Sequence, residues 1–92
     1  MTEKADRKAI DRVSRMELYF DTVTNAADNC PDALKRDKHI RKMLKALTSY
    51  YDKGEWRKDF ELEEKGGFPK EMKRGVLSED GVYNLLQRIK GI

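Results

Sequence analysis

Glu55, Asp59 and Glu63 recur every four residues, the spacing that lines up oxygen donors along one side of a helix. Such a row could bind a hard divalent cation. The competing reading is a solvated acidic face, or one that pairs with the basic residues before it in the chain. Further on, Lys73-Arg74-Gly75 precedes Ser78, where a helix is expected to begin, so two cations and free backbone N–H groups could converge on an anion. Pairing of those cations with Asp59 or Glu63 competes with that role. Nucleophilic chemistry has little to work with, because the chain holds one cysteine and one histidine. His39 stands among Lys35, Arg36, Lys38 and Arg41, whose field disfavours its protonation, and Cys30 falls on a different element. An exposed histidine and a small buried thiol are the simpler expectation. Gly66-Gly67 and Gly75 match neither a Walker loop nor a dinucleotide fingerprint. These residues predict a chain with no enzymatic activity, no cofactor and no catalytic group.

Basic character peaks between Asp32 and Lys53, where seven basic residues against three acidic ones give a local charge of +4. Gly54 to Lys65 carries −2. Lys35, Lys38, Arg41, Lys42 and Lys45 share one side of the helix expected there and offer phosphate contacts to a nucleic acid. Against that use, Asp37 interrupts the stripe, no aromatics interleave with the cations, and the acidic segment can cover the stripe within the fold. The whole chain, with 20 basic and 17 acidic residues and a net charge of +3, has a mixed surface and not a dedicated nucleic-acid footprint. Trp56 with Phe60, and Tyr50 with Tyr51, are the largest apolar side chains of the second half. Burying one such ring contributes about 1.5–3 kcal/mol, so core comes first and an exposed hot spot for a protein partner second.

The elements that position these groups follow from apolar spacing. Ala9, Val13, Met16, Phe20, Val23, Ala27 and Cys30 fall at alternating steps of three and four, one stripe of a long helix over 2–29. Glu3 with Arg7, and Asp11 with Arg15, add opposite charges at helical spacing. Pro31 ends that helix and opens a second over 31–52, which carries Ile40, Met43, Leu44, Leu47 and Tyr51 on one side. Gly54 suits a left-handed cap. From Glu55 the chain is expected to form a short helix to Lys65, closed by Gly66-Gly67. A turn from Pro69 to Met72 comes next. Last is a helix N-capped by Ser78, with Glu79 and Asp80 in its first turn, reaching Lys90.

The fold expected is all-α: an antiparallel hairpin of two long helices completed by two or three short C-terminal helices, one domain over 1–92. Trp56, Phe60, Met72, Leu77, Leu85 and Leu86 would plug its open side. A chain of this length buries only roughly 60–65% of its unfolded surface, so the core is thin. Cys30, having no second cysteine, excludes an internal disulfide and a thiolate zinc site and suits a reducing cytoplasm. The charged start leads into no apolar h-region, and no stretch approaches the ~20 apolar residues of a membrane span. Neither export nor membrane insertion is expected.

Tyr50-Tyr51, Glu55-Trp56-Arg57, Asp59-Phe60-Glu61, Glu63-Glu64, Gly66 and the run from Pro69 to Leu86 resemble the signature of a family of small bacterial proteins known as a domain of unknown function. The first helix matches only in its amphipathic pattern. The resemblance implies a bacterial or phage-borne cytoplasmic protein in which Trp56 to Leu86 form a defined unit; it implies no activity, cofactor or catalytic residue. The functional expectation is therefore a binding or regulatory module with a protein partner, or a homo-oligomer formed through the first helix. Nucleic-acid binding by the basic stripe and metal or anion binding are the alternatives. The candidate partner surface gathers Lys35, Lys38, Arg41, Lys42, Lys45, Trp56, Phe60, Lys73 and Arg74.

Overall fold

Asp6 starts the first helix, its carboxylate accepting the Ala9 N–H at 2.8 Å. The computed structural model describes residues 4–91. From Asp6, α1 (Arg7–Asn29) runs without glycine or proline until Cys30. Residues 4–6 are not helical, so α1 is shorter than the expected 2–29; the proposed Glu3–Arg7 pair lies outside the described residues. Asp11, expected to pair with Arg15, faces Arg7 at 3.3 Å instead.

The second expected helix is two. After one turn, α2 (Ala33–Arg36), the backbone extends at Asp37 (φ −83, ψ 117). The Asp37 carboxylate then accepts the N–H groups of His39 and Ile40 at 2.9 and 3.2 Å and starts α3 (Lys38–Asp52). An aspartate competes for backbone donors and so favours a cap over a helix interior. The continuous helix over 31–52 is corrected accordingly. Pro31 does open the first turn, its carbonyl accepting the Leu34 N–H at 3.1 Å.

Gly54 takes the left-handed conformation (φ 93) and turns the chain into α4 (Glu55–Glu64). Gly66 (φ 72) ends it: the N–H groups of Gly66 and Gly67 reach the carbonyls of Glu63 and Leu62, both at 2.9 Å, the bond pair of a Schellman cap. Phe68 is buried, a turn spans Pro69 to Met72, and a 3₁₀ turn covers Gly75–Leu77. The last helix, α5 (Gly81–Lys90), begins after Asp80 and not at Ser78. Ser78 spends its hydroxyl on the Gly75 carbonyl at 2.7 Å, which closes the 3₁₀ turn and leaves α5 without a side-chain cap. Glu79 and Asp80 therefore precede the helix.

Among the described residues there is no strand. Arg12, early in α1, and Tyr50, late in α3, meet on one carboxylate, so these helices run antiparallel. The C-terminal segment seals their open side, as expected of a small helical bundle. Val13 and Val23 of α1, Leu47 of α3, Val76 of the 3₁₀ turn and Val82 of α5 are all 0% exposed. Leu77 and Leu85 are buried with them, while Trp56, Met72 and Leu86 are half-buried and pack against that core; Phe60, also half-buried, stacks on Trp56 rather than joining the plug.

Candidate functional surface

The acidic row does not act as a row. Asp59 points into the fold, 0% exposed, and accepts three hydrogen bonds. Arg12 donates two of them, Nε to Oδ2 at 2.8 Å and Nη2 to Oδ1 at 2.6 Å, and the Tyr50 hydroxyl donates the third at 2.7 Å. This is the bidentate fork that guanidinium and carboxylate form best. Hydrogen bonding to Asp59 raises the Arg12 pKa above its already high ordinary value, so the cation is permanent. Burial, reinforced by the Asp59 carboxylate, pushes the Tyr50 phenol well up. Glu55 stays exposed with its carboxylate 3.9 Å from Arg12, and Glu63 pairs with Arg74 at 2.6 Å.

Lys73 and Arg74 do not converge on an anion. Arg74 divides its guanidinium between Glu63 and the Pro69 carbonyl, and Lys73 lies 3.4 Å from Asp21. The backbone donor nearby, the Val76 N–H, is taken by Glu17 Oε1 at 2.7 Å. Glu17 is 7% exposed, a buried acid inside the apolar stripe of α1. Arg12 and Glu17 were missed as functional positions in the sequence; their signal is placement, since each sits three or four residues from an apolar stripe residue and so faces inward.

Trp56 and Phe60 stack with ring centroids 4.9 Å apart, Tyr51 tilts against Trp56 at 5.0 Å, and the indole N–H donates to the Val76 carbonyl at 2.9 Å. The cluster fastens α4 to the end of α3 and to the 3₁₀ turn. Cys30 is exposed, not the buried thiol expected, and no hydrogen bond joins it to the exposed His39. Among the described residues no group of three or more His, Cys, Asp or Glu is placed to hold a metal ion, and no helix is long and apolar enough to cross a membrane.

The basic stripe is left over. Three acids of the segment expected to cover it, Glu55, Asp59 and Glu63, face Arg12 and Arg74 instead. Lys35 on α2, and Lys38, Arg41, Lys42 and Lys45 on α3, are exposed, and none forms an ion pair with another described residue. The four α3 cations border one shallow depression. Beside them, between the second half of α3 and α5, lies a groove of about 320 Å³ lined by Leu44, Thr48, Tyr51, Tyr83, Leu86 and Ile89 among others.

No curated protein and no solved structure matches the chain. A family model described as Domain of unknown function (DUF4298) matches residues 13–92, which takes in α1 from Val13 onward, Tyr50 and Asp59 but not their partner Arg12, the basic stripe and the groove. The chain belongs to that family.

Proposed function

We propose that the protein is a non-enzymatic binding module that acts by occupying the surface of a protein partner. One observation carries the reading. Asp59, Glu63 and Glu17, with Arg12 and Arg74, are committed to contacts within the chain, while Lys38, Arg41, Lys42 and Lys45 stand exposed with no ion pair to another described residue. Self-association through α1 has less support, because Ala9, Val13, Met16, Val23 and Ala27 are buried against the chain's own helices and Leu18 is the one large apolar residue exposed on α1. The lone Cys30 and the resemblance set out above support a cytoplasmic, bacterial or phage-borne protein.

Photo-crosslinking in cells tests this. A photoreactive residue replacing Lys42 or Tyr83 should yield an adduct with one discrete protein, and one replacing Asp11 on α1 should not. No adduct from any position contradicts the reading.

A second reading, nucleic-acid binding, is favoured by the same four unpaired cations. It requires binding that weakens as salt rises and is lost in Lys42→Glu/Lys45→Glu. Flat salt dependence, or no binding, removes it.

A further inference from the structure

We infer that the groove between α3 and α5 receives an acidic amphipathic helix of a protein partner. This rests on the chain being a protein-binding module and names the class of segment bound. The floor is apolar: Leu44, Leu86 and Ile89 are half-buried there, and Tyr83 stands over it at 51% exposure. Among the described residues Tyr83 is one of two large apolar residues so exposed; the other, Leu18, lies on α1 and outside this groove. An amphipathic tyrosine at the edge of an apolar floor is the residue type that anchors partners.

Charge selects the occupant. On α3, Arg41 lies three residues before Leu44, and Lys45 three before Thr48; both border the neighbouring depression rather than the groove itself, and helical spacing puts them on the α3 face that adjoins its lining residues. Lys90 lines the opposite wall, and Asp52 is the one acid in the lining. The floor from Leu44 to Tyr51 spans about 10 Å, near two helical turns, which admits apolar side chains at i, i+3 or i+4 and i+7. Acidic residues flanking that stripe would meet Arg41, Lys45 and Lys90.

Other occupants fit less well. A nucleic acid would engage the cations and could stack a base on Tyr83, but it presents no aliphatic side chains to Leu44, Leu86 and Ile89. A second copy of the chain lacks the right segment: its acidic helix, α4, has its aromatic side packed against Tyr51 and the 3₁₀ turn.

The test is panning of a random peptide library against the full chain, then against Tyr83→Asp and against Arg41→Glu/Lys45→Glu, each checked for helicity by circular dichroism. These side chains are exposed, so the variants retain the fold. The wild type should enrich peptides with Asp or Glu flanking apolar residues at helical spacing. A synthetic consensus peptide should bind Tyr83→Asp about tenfold more weakly or worse, and the charge-reversed variant should enrich basic peptides. No enrichment, a consensus without acids, or binding indifferent to Tyr83 overturns the groove assignment. A partner that still crosslinks from Lys42 would then leave the broader binding reading standing, so the two failures are distinguishable.

Discussion

Arg12 and Asp59 stand 47 residues apart in the chain and are joined by two parallel N–H···O bonds of 2.8 and 2.6 Å. The pair ties α4 to α1, and Tyr50 brings the end of α3 to the same carboxylate. Three helices thus share one buried charge. A residue whose spacing suggested a ligand for metal ions is instead the polar centre of the helix packing.

Alkaline pH should weaken the fold through Tyr50. An unfolded tyrosine ionises near pH 10, whereas burial and the Asp59 carboxylate keep the folded phenol protonated above that. Above about pH 10 the native state binds the extra proton, so this stabilisation is complete below that pH and declines as pH rises past it. The difference in phenolate absorbance between wild type and Tyr50→Phe should stay at zero until the chain unfolds. A Tyr50 phenolate appearing near pH 10 in the folded chain would refute the assignment.

Glu17→Ala should lower stability by about 1–3 kcal/mol, because it leaves the buried Val76 N–H without an acceptor. Glu17→Gln keeps an acceptor oxygen and should cost less. Urea unfolding of the two variants checks this, and equal costs would show that the hydrogen bond contributes little.

Gly81→Ala should be destabilising by about 1–3 kcal/mol through overpacking. A Cβ there would collide with Ser78 Oγ and press on the Gly75 carbonyl at 3.2 Å and the Phe20 ring at 3.3 Å. Adding Ser78→Ala relieves the first clash but also removes the hydroxyl's bond to the Gly75 carbonyl, so in thermal melts the double variant should lose less than the sum of the two single changes. A Gly81→Ala variant as stable as wild type would mean that the 3₁₀ turn and α5 are more loosely joined than described.

Much of the helical architecture is legible in local pattern. The stripe from Ala9 to Ala27, the reversal at Gly54 and the stop at Gly66 each follow from residues close together in the chain, and each is where apolar spacing or backbone freedom put it. What was not legible depends on competition. Asp37 reads as a charge within a basic stripe until its carboxylate is seen capping α3, and Ser78 reads as a cap until its hydroxyl turns back to Gly75. The candidate surface divides in the same way. The exposure of Lys38, Arg41, Lys42 and Lys45 follows from helical spacing, but their lack of acidic partners depends on Asp59 and Glu63 choosing Arg12 and Arg74, a long-range outcome.

Asp59 serves the fold, and a double-mutant cycle between Arg12→Met and Asp59→Leu tests that most directly. Arg12→Met alone should cost about 3–5 kcal/mol, because it strands a fully buried carboxylate. Replacing both partners should cost well under the sum of the single changes, with a coupling of about 1.5–3 kcal/mol in urea unfolding. Additive costs would contradict the account: Asp59 would then be free for another role, and the inward commitment of the acids that leaves the α3 cations exposed would have to be abandoned.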